Sequence, residues 1–203
     1  MSKTETDAPA KLPVLYLIRH GQTAWSLSGQ HTSWTDLPLI PAGVEESRKL
    51  AGRLGHLTFT RVYSSPRLRA CETCELAGLD GAIEIEPDLA EWNYGDYEGL
   101  LATEIRQRQP DWNIYRDGCP NGESPAQISD RADRLIDRLQ RLEGNVALFS
   151  HGHFSRVLAA RWVNLPVTGA SNLMINTASI STLTFEQSRS RPVITLWNSK
   201  GEV

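Results

Sequence analysis

The chain has 203 residues, 40% of them hydrophobic and 22% charged, ordinary values for one globular domain that can bury its own core. A net charge of -3 gives no general attraction to nucleic acid or to anionic membranes, so any anion binding has to come from locally clustered arginines. Three cysteines without a secretion pattern argue against a disulfide framework, and no run approaches the roughly 18 apolar residues of a membrane span.

Residues 1–11 are polar and lack the charged-then-apolar order of a signal peptide; they are expected to be a mobile tail on a cytoplasmic protein whose residues 12–203 form one domain. The apolar run Val14-Leu15-Tyr16-Leu17-Ile18 predicts a strand over 14–18, and it delivers Arg19-His20-Gly21. A helix over 42–54 and a strand over 61–64 follow. Ser65-Pro66-Arg67-Leu68-Arg69-Ala70 then reads as an N-cap, a proline at the first helical position and a first turn with two arginines, opening a helix over 66–77. Cys71 and Cys74 have CxxC spacing inside that helix, but no second Cys or His pair stands nearby to complete a metal site, so they read as small packed side chains.

After a strand over 83–86, residues 87–122 carry no long periodic element, only a short helix near 103–109 that Pro110 stops. Loops of that length are usually functional. Trp92, Tyr94, Tyr97, Trp112 and Tyr115 are expected to give this lid-like insertion a small core of its own, folded over a pocket. Ser124-Pro125-Ala126-Gln127 is a capping box that starts a helix over 125–142, whose apolar face is Ile128, Ala132, Leu135, Ile136, Leu139 and Leu142 and which Gly144 closes. Its other face, from Asp130 and Arg131 to Arg138 and Arg141, reads as solvated. Val146-Ala147-Leu148-Phe149 is another buried strand and delivers His151-Gly152-His153. A helix over 154–163 and a hairpin of strands over 179–185 and 192–198 complete the chain.

Strands and helices in alternation imply a three-layer α/β/α fold with a mostly parallel sheet and one antiparallel strand near the C-terminus. Ligands gather beyond the carboxyl ends of such strands, which brings His20 and His151 to one crevice. The glycine after each histidine is expected to let the backbone turn sharply there. A helix start carrying arginines suits phosphate.

Five pieces in order, Arg19-His20-Gly21-Gln22-Thr23, Thr35-Asp36-Leu37-Pro38-Leu39, Ser64-Ser65-Pro66-Arg67-Leu68-Arg69-Ala70, Glu91-Trp92-Asn93-Tyr94-Gly95 and Ser150-His151-Gly152, resemble the histidine phosphatase superfamily that includes the cofactor-dependent phosphoglycerate mutases. Gly95-Asp96-Tyr97-Glu98-Gly99, Gly122-Glu123-Ser124, the stretch Trp112 to Cys119 and His151-Gly152-His153 are similar to its branch of sedoheptulose-1,7-bisphosphatase-like and short acid phosphatases. The resemblance implies a phosphatase of small phosphomonoesters, sugar phosphates or bisphosphates, with no metal and no cofactor. His20 would attack phosphorus and become phosphohistidine, Arg19, Arg69 and His151 would hold the oxygens, and Glu91 would be the general acid. Thr23, Ser26, Thr32, Trp92 and His153 are the candidate substrate contacts, with support of His151 or Glu91 the other reading for His153. A metal pair of His151 and His153 is disfavoured by the surrounding arginines. Arg67, two residues from Arg69, faces elsewhere, and His31 and His56 read as surface residues.

The mutases of the family carry an Arg beside the general acid, a Lys shortly after it and an Arg pair in the lid. This chain has Trp92, Leu100-Leu101-Ala102 and the single Arg116 there, so a doubly charged intermediate would be held less well and water would win. Ser26 stands where many relatives carry Asn, and Ile40 where many carry a helix-capping Thr or Ser. The rival readings are a mutase primed by 2,3-bisphosphoglycerate and a non-catalytic phosphate-binding module. The expected partner is a small phosphomonoester, not nucleic acid or membrane, and the oligomeric state is left open, a homodimer included.

Overall fold

The computed structural model describes residues 11–79, 81 and 83–201, so most of the expected N-terminal tail lies outside the described residues. Six strands, β1 (Pro13–Arg19), β2 (Phe59–Ser64), β3 (Ile83–Ile85), β4 (Gly144–Ser150), β5 (Ile180–Phe185) and β6 (Pro192–Ser199), form one sheet in the order β3-β2-β4-β1-β5-β6. Pairings from β3 to β1 are parallel, while β5 is antiparallel to both β1 and β6. The expected α/β class with one reversed strand is the observed one.

The two central strands are apolar throughout because both faces are covered. Leu15, Leu17, Val146 and Leu148 point to one side, where α6 (Pro125–Leu139) and α7 (Gly152–Trp162) pack. Tyr16, Ile18, Ala147 and Phe149 point to the other, against α2 (Pro41–Leu54) and α3 (Leu68–Leu76). The smaller helices are α1 (Ala24–Ser28), α4 (Ala102–Arg108) and α5 (Ile114–Asp117). Among the described residues, no helix is long and apolar enough to cross a membrane.

Two helix ends and the 87–122 segment differ from the sequence reading in ways that bear on the site. α3 starts at Leu68, two residues late: Ser65 Oγ accepts from His151 Nε2 (2.7 Å) and from Arg67 N (3.3 Å), and the Leu68 amide is capped by Asp36 across the loop (2.8 Å). α6 keeps its capping box, Ser124 Oγ accepting from Gln127 N and Gln127 Oε1 from Ser124 N, but stops at Leu139, and Gly144 begins β4 with φ +73° rather than closing the helix. Residues 87–122 have no core of their own. Trp92, Tyr94, Trp112 and Tyr115 join Leu15, Leu135, Leu148 and Phe154 in the main core, since one face of the sheet is left bare by α6 and α7 alone.

Of the two glycines after the histidines, Gly21 serves close packing, and neither has the positive φ of a sharp turn. A Cβ on Gly21 would overlap Ser47 Oγ, and one on Gly43 in α2 would overlap the carbonyl of Gln22. Helix and His20 loop therefore touch backbone to backbone. Gly43→Ala is expected to cost about 3 kcal/mol, the upper range for forcing a methyl into a packed site, read as a lower urea midpoint at unchanged m-value. Gly152 has ordinary room beside Arg19.

Candidate active site

The register places three strand ends side by side, Arg19 opposite Ser150 and Ser64 opposite Phe149. The chain leaves each end with its next amide still tied to β4, His20 N to Ser150 O (3.0 Å) and Ser65 N to Phe149 O (2.9 Å). His20 and His151 are thereby held with ring centroids 5.2 Å apart. A pocket of about 180 Å³ opens over them, lined by Arg19, His20, Thr23, Thr32, Glu91 and His153 among others.

His20 Nδ1 lies 2.7 Å from the Gly21 carbonyl oxygen. A carbonyl only accepts, so Nδ1 carries the proton and the lone pair sits on Nε2. Burial, then the charges of Arg69 and Arg19, push the imidazole well below its usual range and keep it neutral. Arg19 donates Nη1 to Ile175 O (2.8 Å), while its buried Nε has no partner among the described residues. An unmatched guanidinium N–H beside an unprotonated ring nitrogen is what an incoming anion would meet.

Arg69 is fully buried behind the pocket. Its Nε donates to His151 Nδ1 (3.2 Å), Nη1 to Thr35 O (3.3 Å), and Nη2 to Thr32 O (3.1 Å) and Ser33 O (3.4 Å). His151 is therefore a donor through Nε2, which reaches Ser65 Oγ at 2.7 Å. Both ring nitrogens are engaged inside the protein, so a phosphate reaching His151 would have to draw Nε2–H away from Ser65. Burial and Arg69 also hold His151 well below its normal range.

The loop that grips Arg69 is itself pinned by Glu98. Its carboxylate accepts from Ser33 N (2.8 and 3.0 Å), Thr35 N (3.0 Å) and Ser33 Oγ (2.6 Å). Burial alone would raise the Glu98 pKa, yet these hydrogen bonds hold it below the usual carboxylate range. Glu98 is thus a positioning residue for Thr32 and Arg69. Glu98→Gln is expected to lower kcat/KM about tenfold through misplacement of the cation, and Glu98→Asp to lower it less; equal loss in both variants would mean general loosening of the loop.

Glu91 follows a 3-10 turn at Pro87–Leu89 and is held by three backbone amides, Trp92 N (2.9 Å) and Phe154 N (2.8 Å) on Oε1 and His153 N (3.0 Å) on Oε2. Two of these belong to the first turn of α7, whose free N–H groups suit an anion. The turn carrying Glu91 is clamped by Arg131, which donates to the carbonyls of Asp88 (2.8 Å), Ala90 (2.7 Å) and Glu91 (3.3 Å) and pairs with Glu123 at 2.7 Å. Arg131 does not belong to a solvated face. The arginine sits in α6 beside Asp130 and Asp133 and looks like its neighbours in sequence.

Of the expected substrate contacts, Thr23, Ser26, Thr32 and His153 line the pocket. Thr23 and Ser26 cap α1 reciprocally, Ser26 N to Thr23 Oγ1 (3.1 Å) and Thr23 N to Ser26 Oγ (2.8 Å). Ile40 makes no side-chain cap, as its apolar side chain requires. Trp92 does not reach the pocket. It is fully buried and donates Nε1 to Glu123 O (2.9 Å), because its indole fills the core beneath Glu91. Arg67 lies over the Trp34 ring (4.5 Å) and faces a different cavity.

His31 is not a surface residue. It is 6% exposed, gives Nδ1 to Leu100 O (2.7 Å) and stacks on His153 with centroids 5.9 Å apart and planes 3° from parallel. His153 Nδ1 meets Tyr94 Oη at 2.6 Å. Tyr94, one of the aromatics expected in the segment over the pocket, lines it, and so does Arg156, which escaped the sequence reading. Arg156 was findable, since it stands three residues after His153 on one helix and so shares its face.

The model of the histidine phosphatase superfamily (branch 1) matches residues 15–200. The chain belongs to that superfamily. An acid phosphatase of Mycobacterium tuberculosis is 44% identical over 176 residues, 85% of this chain and 86% of the relative. The sedoheptulose 1,7-bisphosphatase of Saccharomyces cerevisiae is 40% identical over 78% of this chain and 70% of its own length. A solved open-reading-frame product of Mycobacterium tuberculosis superposes with a TM-score of 0.86 at 40% identity, covering 91% of this chain and 96% of that one.

Proposed function

We propose that this superfamily member is a metal-independent phosphatase of small phosphomonoesters, sugar phosphates above all, working through a phosphohistidine. The observation that carries the reading is the His20 tautomer: Nδ1–H is spent on Gly21 O, so Nε2 offers its lone pair to a pocket that also holds Arg19 and Glu91. His20 Nε2 forms a bond to phosphorus as the bond to the ester oxygen breaks, and Glu91 gives that oxygen its proton. Glu91, now a carboxylate, takes a proton from water, whose oxygen attacks phosphorus and releases inorganic phosphate and free His20. Arg19 and Arg69 stabilise charge on the equatorial oxygens, and His151 joins them once its Nε2–H leaves Ser65.

Hydrolysis is favoured over the mutase reaction by what replaces the mutase cations. Trp92 is buried in the core, and Arg116 is exposed and paired with Asp117 at 2.7 Å. The test is phosphate release in EDTA from p-nitrophenyl phosphate, sedoheptulose-1,7-bisphosphate, fructose-1,6-bisphosphate and 3-phosphoglycerate, by the wild type and by His20→Ala. Release that depends on His20 supports the reading. Silence on every ester, with 3-phosphoglycerate isomerised once 2,3-bisphosphoglycerate is added, would make the protein a mutase.

A further inference from the structure

A separate cavity, of about 240 Å³, shares a single lining residue, Glu91, with the pocket over His20. Its walls come from two supports of the active site. Ser33 belongs to the loop whose carbonyls grip Arg69, and Pro87, Ala90 and Glu91 belong to the turn that Arg131 clamps. No step of the proposed reaction passes through this cavity.

Most of the charge around it is already spent. Glu123 accepts from Arg131 Nε (2.8 Å) and Nη2 (2.7 Å) and from the Asn93 amide (2.8 Å), and the Glu91 carboxylate is held by its three backbone amides. Arg67 is different. Its buried Nε has no partner among the described residues, it makes no ion pair there, and its guanidinium rests on the Trp34 ring, 4.5 Å from the centroid. Stacking on an indole occupies the face of a guanidinium and leaves its N–H edge open to an acceptor. A buried N–H without an acceptor is a cost that a bound acceptor removes. Trp34 is 61% exposed although Glu98 fixes the amides of Ser33 and Thr35 on either side of it. With Pro87 and Ala90, this firmly placed indole gives the cavity an apolar wall beside one unmatched cation, the composition of a small-molecule site. One free cation beside the carboxylates of Glu91 and Glu123 matches a single negative charge; a phosphate dianion would meet more repulsion than Arg67 offsets.

We propose that this cavity binds a small organic carboxylate, its carboxylate on the N–H edge of Arg67 and its flat apolar body against Trp34, Pro87 and Ala90, and that the bound molecule slows the enzyme from outside the active site. The binding stands by itself, while the effect on rate rests on the phosphatase reading above. Glu91 and Arg69 act only when held in the productive geometry, so an occupant pressed between their supports lowers kcat and leaves KM nearly unchanged.

The probe is benzoate, and the reporter is the Trp34 indole N–H in protein carrying isotopically labelled tryptophan, identified by NMR as the resonance missing from Trp34→Phe. Benzoate should shift that resonance saturably, and Arg67→Gln should weaken the binding about tenfold or more, as loss of a charge-assisted hydrogen bond does. The Arg67 side chain makes no hydrogen bond among the described residues, so the substitution spares the fold, and kcat without benzoate stays at the wild-type value. With p-nitrophenyl phosphate as substrate, saturating benzoate should lower kcat roughly threefold or more at unchanged KM in wild type and not in Arg67→Gln. A Trp34 resonance that does not move, or that titrates with equal affinity in Arg67→Gln, overturns the site. Inhibition that raises KM alone would put benzoate over His20, and saturation of Trp34 with kcat unchanged would remove the effect on rate; either overturns the proposal as it stands. Phenylphosphonate binding at Trp34 as tightly as benzoate would overturn the carboxylate assignment. If wild type hydrolyses no ester, the phosphatase reading fails while the indole titration still decides the cavity.

Discussion

His20→Ala is expected to lower phosphate release from p-nitrophenyl phosphate by on the order of 10⁴-fold or more, because a displaced nucleophile takes the whole two-step route with it. What survives in the variant is a cationic pocket, Arg19 and Arg69 on the phosphate oxygens, in which water attacks without an activated acceptor. The size of the loss follows from the arrangement around one ring. Gly21 O fixes the tautomer, burial and two arginines keep the ring unprotonated, His151 is held at both nitrogens by Arg69 and Ser65, and His31, which has the same tautomer through Leu100 O, is stacked on His153. Wild type mixed with substrate and quenched in alkali should yield an acid-labile, alkali-stable phosphoprotein, and His20→Ala should yield none. A wild type that turns over briskly with no trapped phosphoprotein would point to direct attack by water and reassign His20 to charge stabilisation.

The sequence made this site legible where the chemistry coincides with a change of local structure. Arg19-His20 and Ser150-His151 stand where apolar strands end, so their meeting follows from parallel pairing in the sheet. Glu91 could be reached only through the family resemblance, since a lone Glu in an irregular segment carries no periodic signal. The parts that stayed hidden act through backbone carbonyls. Arg131 clamps the Glu91 turn by three carbonyls and one carboxylate, and Arg69 is oriented by three more; nothing in a residue's identity announces which main-chain oxygen it will find. His31 was misread for a related reason. Its cover comes from Tyr94, Trp112 and His153, all remote in sequence. Ser65 shows the converse, a residue type that favours helix caps whose hydroxyl here serves the Arg67 amide and a tertiary partner, His151, ahead of the first turn of α3.

Below about pH 6.5 the protein should lose stability more steeply than its composition suggests, and four histidines set the slope. His20, His31, His151 and His153 all have folded-state pKa values lowered from 6.5, burial being the largest cause for each. The unfolded chain binds protons at these positions near pH 6.5 while the folded protein does not, so their contribution is fully present above that pH. It drains away as pH falls toward the folded values. Each ring that resists protonation costs about 1.4 kcal/mol per pH unit for as long as it stays neutral below the unfolded value. Against a typical domain stability of about 5–15 kcal/mol, even one such ring removes a measurable share of the total. Calorimetry from pH 8 to pH 5 should show Tm falling with deepening slope, and His31→Phe, which removes one buried imidazole from the stack, should flatten the slope by about one proton. A Tm that holds level between pH 7 and pH 5 would mean that these rings titrate alike in both states. The same property shapes activity. The first half-reaction needs Glu91 protonated and His20 neutral, and a His20 that stays neutral in acid keeps the nucleophile available there. The rate should therefore rise toward acid pH and then fail by unfolding rather than by protonation of the attacking nitrogen, so that the acid limb of the rate profile moves with Tm in His31→Phe, while a profile flat from pH 4 to pH 9 would contradict the assignment of Glu91 and His20 together.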